Sequence, residues 1–160
     1  MTAFSLLVWL HLLAAVSWVG GMVFLSLVLA PSYRSLAAKP DAGALFRLTA
    51  RRFRFVVWGA IAVLLGTGPI LMASHGWPLV EPRGWPSPLA VKLSLVGIVL
   101  AMTLSHDVIV GPRVRALLAR PPEERTSRHE LVLLASTWIP RSALLLTLAV
   151  LLAAVILARL

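Results

Sequence analysis

No cysteine occurs in the chain. Its absence excludes disulfides, thiolate metal sites and cysteine redox chemistry, and it says nothing of compartment. Charge is scarce too. Charged residues make up 13% of the 160, and only six of them are acidic. Soluble globular domains carry about 25% charge. That shortage, beside 59% hydrophobic residues, excludes a soluble domain and marks an integral membrane protein whose surroundings are a lipid bilayer. The net charge of +9 reads as topology and lipid headgroup contact. No aromatic-interleaved basic surface accompanies it, so nucleic acid is not an expected partner. No positive segment precedes the first apolar run, and that run is too long for a signal peptide, so cleavage is not expected. No internal repeat is strong enough to build on.

Four apolar runs remain. About 20 residues cross a hydrocarbon core. The runs predict spans over about 4–30, 53–74, 88–111 and 142–158, in one membrane domain covering 1–160. The first is expected to stop at Ala30, because Pro31 cannot continue an α-helix ladder. Pro69, in "GTGPILMASH", predicts a kink in the second.

The connections set the orientation. The first carries Arg34, Lys39, Arg47, Arg51 and Arg52 against Asp41 alone. The third carries Arg113, Arg115, Arg120, Arg125, Arg128 and Arg141 against Glu123, Glu124 and Glu130. The second has one arginine and one glutamate. The positive-inside rule places the first and third in the cytoplasm and both termini outside. The segment "SRHELVLLASTWIP" has helical character and is expected to form a cytoplasmic interfacial helix ending at Pro140, before the last span. Running the span through it would draw Arg141 toward mid-membrane, at about 2.5–3.5 kcal/mol. The fold class is therefore an all-α bundle of four transmembrane helices, N-out and C-out, multi-pass in the bacterial inner membrane.

Within that frame the ionisable residues carry the chemistry, because intramembrane ionisable groups are functional candidates. His11, Ala15, Trp18 and Met22 form one helical stripe, with Gly20 and Gly21 beside it. The glycines allow close approach of a helix or of a flat ligand. Lys92, Val96, Val99, Thr103 and His106 form another stripe. Counting from the span ends places His11, Met72, His75 and Lys92 near the outer face, and His106, Asp107, Arg113, His129 and Arg141 near the inner one. His11 and His75 are within reach of one metal ion on this count; His11 and His106 are not. The plainer alternatives stay open. His11 and His75 can be interfacial histidines, and Lys92 can snorkel outward. His106 and Asp107 can cap a helix end and pair with Arg113, and His129 can be a surface residue. Trp9, Trp77 and Trp85 fit an outer aromatic belt.

The pattern His11-x6-Trp18-x-Gly20-Gly21, followed by Ala30-Pro31, resembles the copper-resistance D (CopD) family of membrane proteins. So does "VKLSLVGIVLAMTLSHDVIVGPRV", with its leading lysine and trailing Gly-Pro-Arg. The same opening and the Lys…His helix also resemble HemJ-type protoporphyrinogen oxidases, four-helix proteins that bind haem b. Here fourteen residues separate Lys92 from His106, more than in the HemJ type, and "LVLAPSYR" replaces an arginine-bearing stretch.

Three readings follow. In the first, the chain binds haem b near the outer face in a redox or respiratory accessory role. His11 and His75 are the axial ligands, Trp18 lines the site, Gly20 and Gly21 make room for the macrocycle, and Lys92 pairs with a propionate. In the second, His11, Met72 and His75 handle copper, although a chain with four methionines and no cysteine is poorly supplied for Cu(I). In the third, the chain is a cofactor-free structural or assembly subunit. A homo-oligomer or larger membrane complex suits so small a bundle. No nucleophile–base pair and no acidic cluster lies in the spans, which argues against hydrolysis.

Overall fold

The computed structural model describes residues 2–35, 42–118, 121 and 126–159. Lys39, Asp41, Arg120, Glu123, Glu124 and Arg125, used above for orientation, lie outside these. Among the described residues there is no strand, and four helical runs are long and apolar enough to cross a membrane. They cover Ala3–Tyr33, Gly43–Ser74, Ser87–Leu117 and Ser127–Leu157. The all-α fold class expected from composition is the one observed. The chain divides into two compact units, Met1–Trp85 and Pro86–Leu160.

In the first unit, α1 (Ala3–Val23) runs through a π-helical stretch, Phe24–Leu29, into α2 (Ala30–Ser35). The return helix is α3 (Ala42–Ser74), and α1 packs on it. Ala14, Trp18 and Val19 of α1 are buried, as are Val57, Ala60, Ile61, Thr67 and Met72 of α3. In the second unit, α4 (Ser87–Ser105) continues through a π-helical stretch, His106–Val110, into α5 (Gly111–Leu118). It packs on α6 (Ser127–Leu157). The buried residues here are Leu89, Val99, Leu117, Ala143, Leu144, Thr147 and Ala153. Large side chains elsewhere lie open, Leu27 at 67% and Leu145 at 69%. Lipid, not water, is the solvent such faces suit.

In three places the helices run past the expected ends of the spans. The first helix does not stop at Ala30. Pro31 lacks an N–H and its ring crowds the carbonyl four residues back. The chain answers by widening: the Ala30 N–H bonds the Leu25 carbonyl, five residues back. Gly111 does the same toward His106 before Pro112. The second helix starts at Ala42 rather than near Phe53, because Ala, Leu and Arg are good helix formers and carry the helix on past the hydrocarbon. The Ser127–Pro140 segment is helical as expected, but it is not separate from the last span. Helix α6 passes through Pro140 without a break.

Helix α3 ends in a Schellman motif. The Trp77 N–H bonds the Met72 carbonyl at 3.1 Å and the Gly76 N–H bonds that of Ala73 at 3.0 Å. Gly76 has φ +72°, and an added Cβ would meet nothing within 4 Å. Any cost of a side chain there is therefore conformational. Gly76→Ala is expected to destabilise the protein by about 1 kcal/mol, measurable as a lowered unfolding midpoint in detergent, with the far-ultraviolet spectrum unchanged.

Candidate functional site

The first hairpin brings two polar groups together in an apolar setting. His11 Nδ1 lies 2.6 Å from Thr67 Oγ1, joining α1 to α3. Thr67 is buried at 6% exposure and His11 is half-buried. The hydroxyl has a single proton, and it goes to the Val63 carbonyl at 2.7 Å. A carbonyl can only accept. With that proton on Val63, Thr67 Oγ1 accepts from His11, which is the tautomer carrying its proton on Nδ1 and its lone pair on Nε2; the other tautomer reverses the bond. Gly68 stands beside the ring: a Cβ there would lie 3.9 Å from His11 Cε1.

His75 is placed elsewhere. Its Nδ1–H is given to the Leu71 carbonyl at 2.8 Å. Its ring stacks on Trp77, centroids 4.7 Å apart at 19°, with Phe4 at 6.3 Å. His11 is therefore tied to the level of the Val63 carbonyl, and His75 to that of Leu71. Eight residues of helix separate these carbonyls, about 12 Å of rise. Two imidazoles on one metal need nitrogens roughly 4 Å apart, twice a metal–nitrogen bond of about 2 Å. The two rings are thus anchored at different levels of α3, about two turns apart. Met72, buried on α3, stands five residues beyond Thr67, about 7.5 Å along the helix. Thr67, Met72 and His75 thus follow one another along α3 and its end, with His11 of α1 anchored at Thr67. Among the described residues no group of three or more His, Asp or Glu is arranged to hold a metal ion.

The two glycines of α1 differ. A Cβ on Gly21 would fall inside the Phe53 ring of α3, whereas one on Gly20 would meet nothing within 4 Å. Gly21 thus serves helix packing, and Gly20 faces open space. Trp18 is buried. A shallow apolar groove on the same hairpin is lined by Leu13, Ser17, Val56, Gly59 and Val63, and it includes neither histidine.

In the second hairpin Lys92 is half-buried on α4. His106 and Asp107 sit in the π-helical stretch, His106 Nδ1 at 3.4 Å from Asp107 Oδ1. Arg113 is exposed. Arg141 is exposed and lies over the Trp138 ring, 5.2 Å from its centroid. His129 accepts from the Thr126 N–H at 3.1 Å and caps the start of α6. Thr67 was the residue sequence reasoning missed. Its signal was a lone hydroxyl inside "GTGP" of a span.

The pattern of one protein family, described as "Domain of unknown function (DUF4149)", matches residues 13–122. That stretch is more than half of the chain. The chain belongs to the DUF4149 family. Thr67, Met72, His75, Lys92, His106 and Asp107 fall inside the matched stretch, and His11 lies two residues before it. The family description names neither copper resistance nor haem. No curated protein and no solved structure matches the chain.

Proposed function

We propose that this DUF4149 protein binds haem b in the membrane and that His11 would hold its iron through the imidazole. The observation that carries this reading is the His11–Thr67 hydrogen bond. Metal-ligating histidines almost always donate their other ring N–H to a fixed acceptor, which sets tautomer and ring orientation. Thr67, with its own proton committed to Val63, is such an acceptor. A neutral imidazole nitrogen suits iron. The donor set fits haem with one histidine from this hairpin, and His75 has no part in it. It fits copper less well, since Cu(I) selects thiolate and thioether groups and the chain has no cysteine and only four methionines.

Haem, when bound, supplies one-electron redox chemistry. The chain's part is to hold the ring of His11 and to keep Nδ1 protonated through Thr67. The basic connections, read by the positive-inside rule, support an outer-face position for this end of the hairpin.

The test is an ultraviolet-visible spectrum of the detergent-purified protein, oxidised and dithionite-reduced, with metal analysis of the same sample. The expected result is a Soret band that sharpens on reduction, with iron near one equivalent. His75→Ala is expected to leave that spectrum unchanged. A protein that stays colourless when expressed with haem supplied would overturn the proposal. Stoichiometric copper in that colourless sample would turn the assignment to copper handling.

A further inference from the structure

The two hairpins repeat one another. The π-helical stretches end at Leu29 and Val110, 81 positions apart. Each is followed by a small residue and a proline, Ala30-Pro31 and Gly111-Pro112, and then by an arginine three residues on, Arg34 and Arg115. Proline explains the π widening, so these features count as one observation. Exposure along the helix is a second, independent one. From Gly20 to Tyr33 every position but Val23 shares its degree of exposure with the position 81 residues later. Two helices with unrelated faces would not keep that register through nearly four turns. Trp18 and its counterpart Val99 are both buried, at 6% and 1% exposure. A third observation lies on the return helices. Thr67 and Thr147 are both buried, and each gives its hydroxyl proton to the carbonyl four residues earlier at 2.7 Å. Nine residues before each stands a tryptophan, Trp58 and Trp138.

We infer that the chain is a tandem duplication of one two-helix hairpin, and that Lys92 holds in the second copy the place His11 holds in the first. Both are half-buried. Both stand seven residues before the buried Trp18 or Val99 and twenty before the proline. Lys92 is therefore the polar station of its own copy, not a surface lysine reaching for headgroups. One copy presents an imidazole and the other a lysine amine, so the copies have divided their chemistry. His106 and Asp107 stand where the first copy has Leu25 and Ser26, which makes that titratable pair an acquisition of the second copy alone. None of this depends on the haem reading.

The chain has no cysteine, so a single introduced cysteine is a unique label site. Leu10 and Val91 flank the two stations, and Leu27 and Val108 lie seventeen residues further on; all four are exposed. Each would be changed to cysteine, spin-labelled and reconstituted in phosphatidylcholine–phosphatidylglycerol vesicles. Relative accessibility to oxygen and to a water-soluble nickel chelate reads depth. The expected result is equal depth within each pair, to less than one helical turn of about 5 Å, and the same order of depths in both copies. Helix α4 begins at Ser87, four residues before Val91. If Lys92 were a surface lysine, Val91 would lie in the headgroups, shallower than Leu10 by more than a turn, and the inference would fall. Opposite depth order in the two hairpins would overturn it as well. Leu13→Cys and Ser94→Cys, also an exposed pair, give the same comparison if Leu10→Cys does not fold.

Discussion

His11→Ala is expected to abolish the Soret band, and Thr67→Val, one hydrogen bond further out, to weaken haem retention by about 10–100-fold. Valine matches threonine in shape, so the packing of α1 on α3 is kept. What is lost is the acceptor of His11 Nδ1–H. The ring then loses this partner for its Nδ1–H, a cost of about 1–3 kcal/mol. It escapes that cost by turning or by moving its proton to Nε2, and either change removes the ligating lone pair from its place. A donated Nδ1–H also makes the opposite nitrogen a stronger base. Haem that does remain in Thr67→Val should therefore show a shifted reduction potential, an effect that a purely structural role for Thr67 would not produce. Thr67→Ser keeps the hydroxyl and should restore both properties. Haem titration of the apoprotein and a redox titration of the loaded protein read the two effects. Unchanged affinity and potential in Thr67→Val would show that the hydrogen bond does not serve a ligand.

The four spans were legible because a long apolar run in a charge-poor chain has few other homes. Their ends were less so. Pro31 forbids the next ladder bond of an α-helix, but it does not forbid a helix that widens, and the π stretch Phe24–Leu29 takes that route. Of the two halves of the site, His11 was legible as an ionisable residue on one helical stripe, whereas Thr67 was only a letter within the Gly-Thr-Gly-Pro stretch. The sequence did not join them. They are 56 residues apart, and their meeting depends on the register between two helices, which periodicity along either helix leaves free. Grouping His11 with His75 turns on depth as well. Counting from span ends resolves depth only to a turn or two, and two turns is the separation at issue. The duplication escaped because the copies hardly share residues. Leu12 and Leu93, Pro31 and Pro112, Arg34 and Arg115 coincide along the first helices, and little else does. What they share, from Gly20 to Tyr33, is exposure, and exposure belongs to the folded state.

Gly21→Ala is expected to destabilise the first hairpin by about 1–3 kcal/mol, the usual cost of forcing an extra carbon into a filled space. Gly20→Ala, one residue earlier, is expected to be neutral or slightly stabilising. The contrast follows from α1 turning about 100° per residue. Gly21 faces α3, where the Phe53 ring occupies the place of the missing Cβ. Gly20 faces open space, so a methyl there meets no neighbour and improves helix propensity by up to about 1 kcal/mol. Helices in lipid gain little from hiding apolar surface and depend on close packing through small residues, so displacing Phe53 loses contacts that nothing replaces. Phe53→Leu in the Gly21→Ala background should recover part of the loss, which a double-mutant cycle in detergent unfolding would measure as coupling between the two positions. Equal effects at Gly20 and Gly21 would mean that Phe53 does not occupy that space. Loss of cofactor from Gly21→Ala with stability unchanged would instead place Gly21 on the ligand face, where its missing side chain makes room for a macrocycle rather than for Phe53.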